Sequence, residues 1–212
     1  MERMYPTHLA GRTPLIGEDD AEAERNLERR AVEQVLAGDP QAFRVLVERH
    51  QRGVHAVIYR LVHSRADADD LAQQAFLSAY GALSSFKPEL KFSSWIYRIA
   101  VNLAKDHLKS HKRSEVGLPD DAEPTTAAFA GDLPAPDASV QESERQRLLA
   151  RGLACLSLTD REVLVLKDIE ELSYEELKQI LGSPITALKI RVVRARERLR
   201  AALDRLAEKG AL

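Results

Sequence analysis

Residues 115–140 divide this chain into two. They hold four prolines, Pro119, Pro124, Pro134 and Pro136, among Ala, Asp, Thr and Gly, with no sustained apolar period. Such a stretch buries too little apolar surface to offset the entropy of ordering it, so it reads as a linker. The rest must fold as two small units, 22–113 and 141–207, joined by an acidic Pro-rich linker over 114–140. Residues 1–21 are expected to be a disordered extension and 208–212 a short tail. A hydrophobic content of 44% over 212 residues suffices for two small cores. Cys155 is the single cysteine, which excludes an intrachain disulfide and a thiolate-rich metal cage and fits a reducing compartment. No apolar run approaches the roughly 20 residues that span a bilayer, and 1–20 lacks a signal-peptide core, so a cytoplasmic protein without membrane insertion is expected.

Both units are predicted to be helical. Apolar residues recur at helical spacing, and strict alternation over strand length is hard to find. A first helix is expected over Glu22 to Ala37, stopped by Gly38, with Asp39 as the next N-cap and Pro40 as the first residue of the next helix. From there Phe43, Leu46, Val47, His50, Val54, Val57, Ile58 and Leu61 form one stripe. A third helix over Ala68 to Ser84 buries Leu71, Ala75, Ala79 and Leu83, and a fourth over Ser93 to Lys112 buries Trp95 or Ile96, Ile99, Leu103 and Leu108. Beyond the linker, helices are expected over Gln141 to Leu156, Asp160 to Ile169, Tyr174 to Leu181 and Pro184 to Ala207.

The formal net charge of -2 hides a segregation. Lys87 to Arg113 carries seven Lys or Arg against two acids, Lys189 to Arg205 again seven against two, and Glu115 to Gln146 eight acids against one base. Two basic segments with an acidic separator suit two phosphate-facing surfaces, although solvated helix faces give the same pattern. The second basic segment has a helix-turn-helix signature. Ser173 and Glu176 make a capping pattern, Leu177, Ile180 and Leu181 an inner face, and Gly182-Ser183-Pro184 a tight turn. In the last helix Ile185, Leu188, Val192, Ala195 and Leu199 point inward. Thr186, Lys189, Ile190 and Val193 are left on the far side, with Arg191, Arg194 and Arg196 on its flanks. Such a helix reads base edges from the major groove while arginines hold phosphates.

In the first basic segment, Arg98, Val101, Asn102, Lys105 and Asp106 are expected on the outer side of the fourth helix. Asn102 offers both a donor and an acceptor to a base edge, and Tyr97 can stack an unpaired base. Trp95 shares the stripe of Phe92 and Ile99, so core packing is the reading for it.

Four runs together resemble the extracytoplasmic-function group of bacterial RNA polymerase sigma factors. Gly38-Asp39-Pro40-Gln41-Ala42-Phe43 with Leu46 to His50 is similar to the opening of sigma domain 2, and Asp67 to Leu77 to its polymerase-binding helix. Phe92 to Asn102 resembles its -10 recognition segment. Leu156 to Arg200, with Leu172 to Glu176 and Arg194 to Leu199, resembles sigma domain 4. The resemblance covers roughly 30–113 and 142–205. It implies contacts to core polymerase through Asp70, Gln73, Gln74 and Leu77, and to the melted -10 element through Tyr97, Arg98, Asn102, Lys105 and Asp106. It implies contacts to the duplex -35 element through Thr186, Lys189, Ile190, Arg191, Val193 and Arg194. It further implies an anti-sigma factor as a partner, no enzymatic activity and no cofactor. The family commonly has an acid where Gln74 stands, and Gly-Thr-Val-Lys/Arg-Ser-Arg where this chain has Thr186 to Arg191. Ile190 and Val193 therefore put apolar side chains where bases are read, suited to thymine methyls or to a protein.

A stand-alone regulator binding a duplex operator is the main rival, weakened because no heptad seam long enough for a dimer is evident. His107 and His111 have the i, i+4 spacing of metal ligands. No further Cys or His is near in sequence and Lys105, Lys109, Lys112 and Arg113 oppose a cation, so no metal site is expected. No glycine-rich phosphate cradle is present. If 115–140 only tethers two units, limited proteolysis should cut there first and release two folded helical fragments; cleavage elsewhere with that segment protected would refute the division.

Overall fold

The computed structural model describes residues 18–115 and 140–208. Every regular element in them is helical. In chain order they are α1 (Glu18–Leu36), α2 (Phe43–Val62), α3 (Arg65–Gly81), α4 (Phe92–Glu115), α5 (Val140–Ala154), α6 (Leu158–Leu164), α7 (Tyr174–Leu181) and α8 (Ile185–Glu208). Short 3-10 turns at Pro40–Ala42 and Leu83–Ser85 join the early helices. Most of the expected linker, 116–139, lies outside the described residues, as do 1–17 and 209–212.

Local sequence accounts for most boundaries. Asp39 accepts a hydrogen bond from the Gln41 amide at 3.0 Å and Pro40 follows it, so the chain turns into α2 as its caps dictate. Gly38 has φ of 102°, a conformation that costs a side chain dearly. Ser64 caps α3 by accepting from the Asp67 amide. The expected helix Asp160 to Ile169 is really two pieces: α6 widens after Leu164 into a π turn over Val165–Ile169. The expected disordered extension over 1–21 needs correction at its end. Residues 18–21 already belong to α1, whose later turns dock on α2: Ala31 and Val32 are buried, and Glu28 holds both Arg49 at 3.3 Å and His50 at 3.0 Å.

The first four helices pack around Leu46, Val54, Val57, Ile58, Leu61, Phe92 and Ile96. Trp95 lies 5.3 Å from the Phe86 ring and 5.6 Å from Phe92, an aromatic cluster that confirms its packing role. The α4 stripe is rotated from expectation. Its buried apolar residues are Phe92, Ile96, Tyr97, Ala100, Val101 and Ala104, so Val101, expected on the outer side, faces inward. The last four helices pack around Leu153, Val163, Leu166, Leu177, Leu188 and Val192. Gly152 lets α5 cross α8 closely, since a Cβ there would stand 2.7 Å from a Leu203 methyl. The two groups of helices touch: α4 packs on α7, and α2 on α6 and the π turn.

Candidate nucleic-acid interface

The α7–α8 hairpin is built by its caps. Ser173 and Glu176 form a reciprocal capping box, the Glu176 amide donating to Ser173 Oγ at 3.2 Å and the Ser173 amide to Glu176 Oε2 at 2.8 Å. Gly182, at φ 65°, ends α7 in the left-handed conformation and releases the chain into α8. Leu188, Val192, Ala195 and Leu199 then bury one side of α8, while Ile185 is only half-buried. Thr186, Lys189, Ile190, Val193 and Arg194 are exposed on the other side, Ile190 at 49% and Val193 at 54%. The expected groove face is therefore open to solvent. Two of the basic residues are held internally: Arg196 makes a bidentate pair with Asp168 at 2.9 and 2.5 Å, and Arg191 is half-buried, 3.8 Å from Glu162.

On α4, two neighbouring rows have different fates. Arg98, Asn102 and Asp106, spaced four apart, are exposed. The row beside them, Tyr97, Val101 and Lys105, faces the second helical group. Tyr97 is 8% exposed and its hydroxyl donates to Glu170 Oε2 at 3.3 Å; Lys105 reaches Glu162 Oε2 at 2.5 Å. In this arrangement two of the five expected base readers are covered. On α3, Asp70, Gln73, Gln74 and Leu77 are all exposed. Leu77, at 66%, flanks an open apolar groove of about 840 Å³ shared with Phe43, Val47, Phe76 and Tyr80.

The cover over α4 is electrostatic as well as apolar. Glu170 accepts from Arg60 at 3.1 Å, and Lys91 donates to Glu176 at 2.8 Å. Burial pushes the Glu162 and Glu170 carboxyls up, opposed by Lys105 and Arg191 at the first and by Arg60 and the Tyr97 hydroxyl at the second. Burial and the nearby Glu170 charge push the Tyr97 phenol up too. Burial also works against charge on Glu176, but Lys91 and the Ser173 hydroxyl and amide outweigh it and hold the carboxyl low. From sequence Glu162 and Glu170 went unnoticed, and Glu176 was read only as part of a cap. A signal existed for Glu162, which lies four residues from both Leu158 and Leu166 on the apolar side of α6, where an unpaired charge would be costly.

The chain matches the sigma-70 region 2 family over residues 46–114 and the sigma-70 region 4 family over 146–199. It belongs to the sigma-70 family. Its relatives place it in the extracytoplasmic-function group. It is 34% identical to the RNA polymerase sigma-H factor of Pseudomonas aeruginosa, over 84% of this chain and 95% of that one. It is 35% identical to the ECF RNA polymerase sigma-E factor of Haemophilus influenzae, over 82% and 94%. Among solved structures it resembles CnrH in complex with the cytosolic domain of CnrY, with a TM-score of 0.63 and 28% identity over 84% of this chain and 97% of that one. Sigma factor RpoE in complex with the anti-sigma factor NepR from Bartonella quintana shares the fold, with a TM-score of 0.63 at 24% identity over 76% and 96%. The match to both regions, in order and with the α7–α8 hairpin in the second, sets aside the stand-alone operator-binding regulator.

In this sigma factor the contact between the helical groups contains a built-in acid response. His63 ends α2 with φ of 58° beside the Arg161 guanidinium, and burial together with that positive charge pulls its imidazole down to about 3. The packed state thus rejects a proton that an opened or unfolded chain takes up near pH 6.5, so stability is whole above that pH and falls as the pH drops toward 3. Glu162 and Glu170, raised by burial, act in the opposite sense. Replacing His63 by Asn, which tolerates the left-handed conformation, isolates the histidine's share. Between pH 6.5 and 5 the wild type should lose on the order of 2 kcal/mol more stability than His63→Asn in urea unfolding. Parallel pH slopes for the two proteins would rule His63 out.

Proposed function

We propose that this sigma factor binds core RNA polymerase in the cytoplasm and brings it to promoters of two parts. Residues 22–113 bind polymerase and the -10 element, 141–207 bind the -35 element, and 114–140 links them. The observation that carries the reading is the solvent-open side of α8, where Thr186, Lys189, Ile190, Val193 and Arg194 stand behind a capped α7 and a glycine turn. Arg98, Asn102 and Asp106 on α4 supply a second row suited to a single strand, with Tyr97 and Lys105 joining it once uncovered. Asp70, Gln73, Gln74 and Leu77 on the free face of α3 meet polymerase. An anti-sigma factor is a natural further partner, in keeping with the complex of the RpoE relative with the anti-sigma factor NepR.

The packed arrangement is a resting form on this reading. Elements centred 25 base pairs apart lie about 85 Å apart at about 3.4 Å per base pair, and helices that touch cannot span that distance. The chain between Glu115 and Val140 reaches about 85 Å at full extension, at roughly 3.4 Å per residue. Separation would release Tyr97 and Lys105 together, while Arg191 and Glu162, on helices of the same group, stay paired. Closure is easily reversed in energetic terms, because each buried carboxylate regains water when its partner leaves.

Run-off transcription with purified core polymerase tests the function. Asn102→Ala should impair strand opening at -10 in permanganate footprinting while duplex -35 binding stays nearly intact; unimpaired opening would remove Asn102 from the reading surface. A second experiment addresses the apolar groove face. Lys189→Ala should weaken binding to all promoters alike and lower the salt slope by about one. Ile190→Ser should leave that slope unchanged yet cost on the order of 1 kcal/mol at one or two -35 positions, relaxing a preference for T. Selection from a randomised -35 library reads this directly, and identical enriched sequences for wild type and Ile190→Ser would exclude a thymine contact.

A further inference from the structure

The histidine pair on α4 has a third partner that its sequence neighbourhood does not contain. His107 and His111 lie one turn apart with ring centroids 4.7 Å from each other, and His107 Nε2 is 3.5 Å from Oδ2 of Asp67 at the start of α3. One ligand atom from each of the three residues can be chosen so that all lie within 4.8 Å of one another. We propose that Asp67, His107 and His111 form a site for a divalent transition-metal ion of the zinc, nickel or cobalt class, pinning the start of α3 to the C-terminal half of α4.

The donor set decides the class of ion. Two imidazoles and one carboxylate suit zinc and its first-row neighbours, whereas calcium and magnesium take shells of oxygen. Tetrahedral ligands at about 2.1 Å from such an ion stand about 3.4 Å from each other, so the three side chains must close in by up to about 1.4 Å. His111 is exposed, and His107 and Asp67 are already near that spacing. The Asp67 backbone is fixed by its amide hydrogen bond to the capping Ser64. The exposed mouth leaves room for water as the remaining ligand, as in three-ligand sites.

The charge argument against a cation weakens once the helices are in place. Lys105 turns away to Glu162 at 2.5 Å. Lys109 sits two residues from each histidine, and helix positions two apart do not share a face. The location gives the site a consequence. Asp67 lies three residues before Asp70 on the helix proposed to meet polymerase, and His107 follows directly after the exposed row of Arg98, Asn102 and Asp106. An ion there stiffens the joint between two working surfaces and stabilises the domain that carries them.

The test uses the full chain carrying Cys155→Ser, so that the thiol takes no metal. Copper(II) is the spectroscopic probe and zinc the thermodynamic one. With one equivalent of copper, electron paramagnetic resonance should show two imidazole nitrogens on the ion, falling to one in His111→Ala. Zinc affinity, measured by competition with a chromophoric chelator, should fall at least tenfold in His107→Ala and His111→Ala and at least threefold in Asp67→Asn. His55→Ala, on α2, should match the parent. Circular dichroism checks that each variant folds, and His111→Ala, at an exposed position, keeps the test valid if His107→Ala does not. A single-imidazole copper spectrum in the parent, or one unchanged by His111→Ala, would overturn the site. Zinc affinity indifferent to Asp67→Asn would overturn the three-ligand arrangement.

Discussion

The Arg161 guanidinium joins the two halves of this sigma factor through four carbonyl oxygens. It donates to Leu153, Ala154 and Leu156, where α5 ends, at 3.0 to 3.2 Å, and across the contact to Leu61, in the last turn of α2, at 2.6 Å. Helix ends leave carbonyls without intrahelical partners, and burying them unsatisfied is costly. One planar, five-donor group therefore answers the needs of two helix ends from different halves. Burial pulls its pKa down only to about 10, so the group remains charged at neutral pH. His63 has to stay neutral beside it, and the acid response of the contact follows from that requirement.

Next to Arg161, Glu162 performs the complementary task from the same helix. It is 3% exposed and placed between Lys105 of α4 and Arg191 of α8, one from each helix proposed to read DNA. Glu170 takes Arg60 and the Tyr97 hydroxyl, and Glu176 takes Lys91 while also completing its own capping box. In the packed form these carboxylates pair with cations of both basic segments, Lys91 and Lys105 on the first and Arg191 on the second. These pairs neutralise part of each basic segment, so a chain of net charge -2 carries two strongly basic segments without exposing all of them.

What could be read from the sequence was set by how far each interaction reaches along the chain. Caps are local, and Asp39, Ser173 and Gly182 act within four residues, so those helix boundaries follow from spacing; Ser64, equally local, was not read as a cap and starts α3 three residues before the expected Ala68. Stripes are nearly as local, which is why Phe43, Leu46, Val54 and Leu61 were legible as core. The direction of one stripe was not. Val101, Tyr97 and Lys105 face inward only because α7 and the turn holding Glu170 lie against α4, a pairing across more than fifty residues that no periodicity announces. Likewise the docking of α1 on α2 depends on Glu28 finding Arg49 and His50, and Asp67 becomes a neighbour of His107 only when α3 and α4 pack. An acid on an apolar stripe, Glu162, was the one long-range partner with a local signature.

The unequal covering of the two proposed DNA surfaces suggests an order of events on the promoter. On α8, Thr186, Lys189, Ile190, Val193 and Arg194 are exposed in the packed form, so a duplex can be met there without any rearrangement. On α4, Arg98 and Asn102 are exposed while Tyr97, the one aromatic side chain proposed to stack a flipped base, is held beneath Glu170. Phosphates drawn to Lys189 and Arg194 also approach Arg191, whose hold on Glu162 is the long one at 3.8 Å. Arg191 and Glu162 lie on α8 and α6 of the same helical group, so drawing Arg191 to phosphate breaks no contact between the two groups. Uncovering the -10 reader instead requires Lys105 to leave Glu162 and the Tyr97 hydroxyl to leave Glu170, so the proposed -35 surface is available first and the -10 surface only after the two groups part.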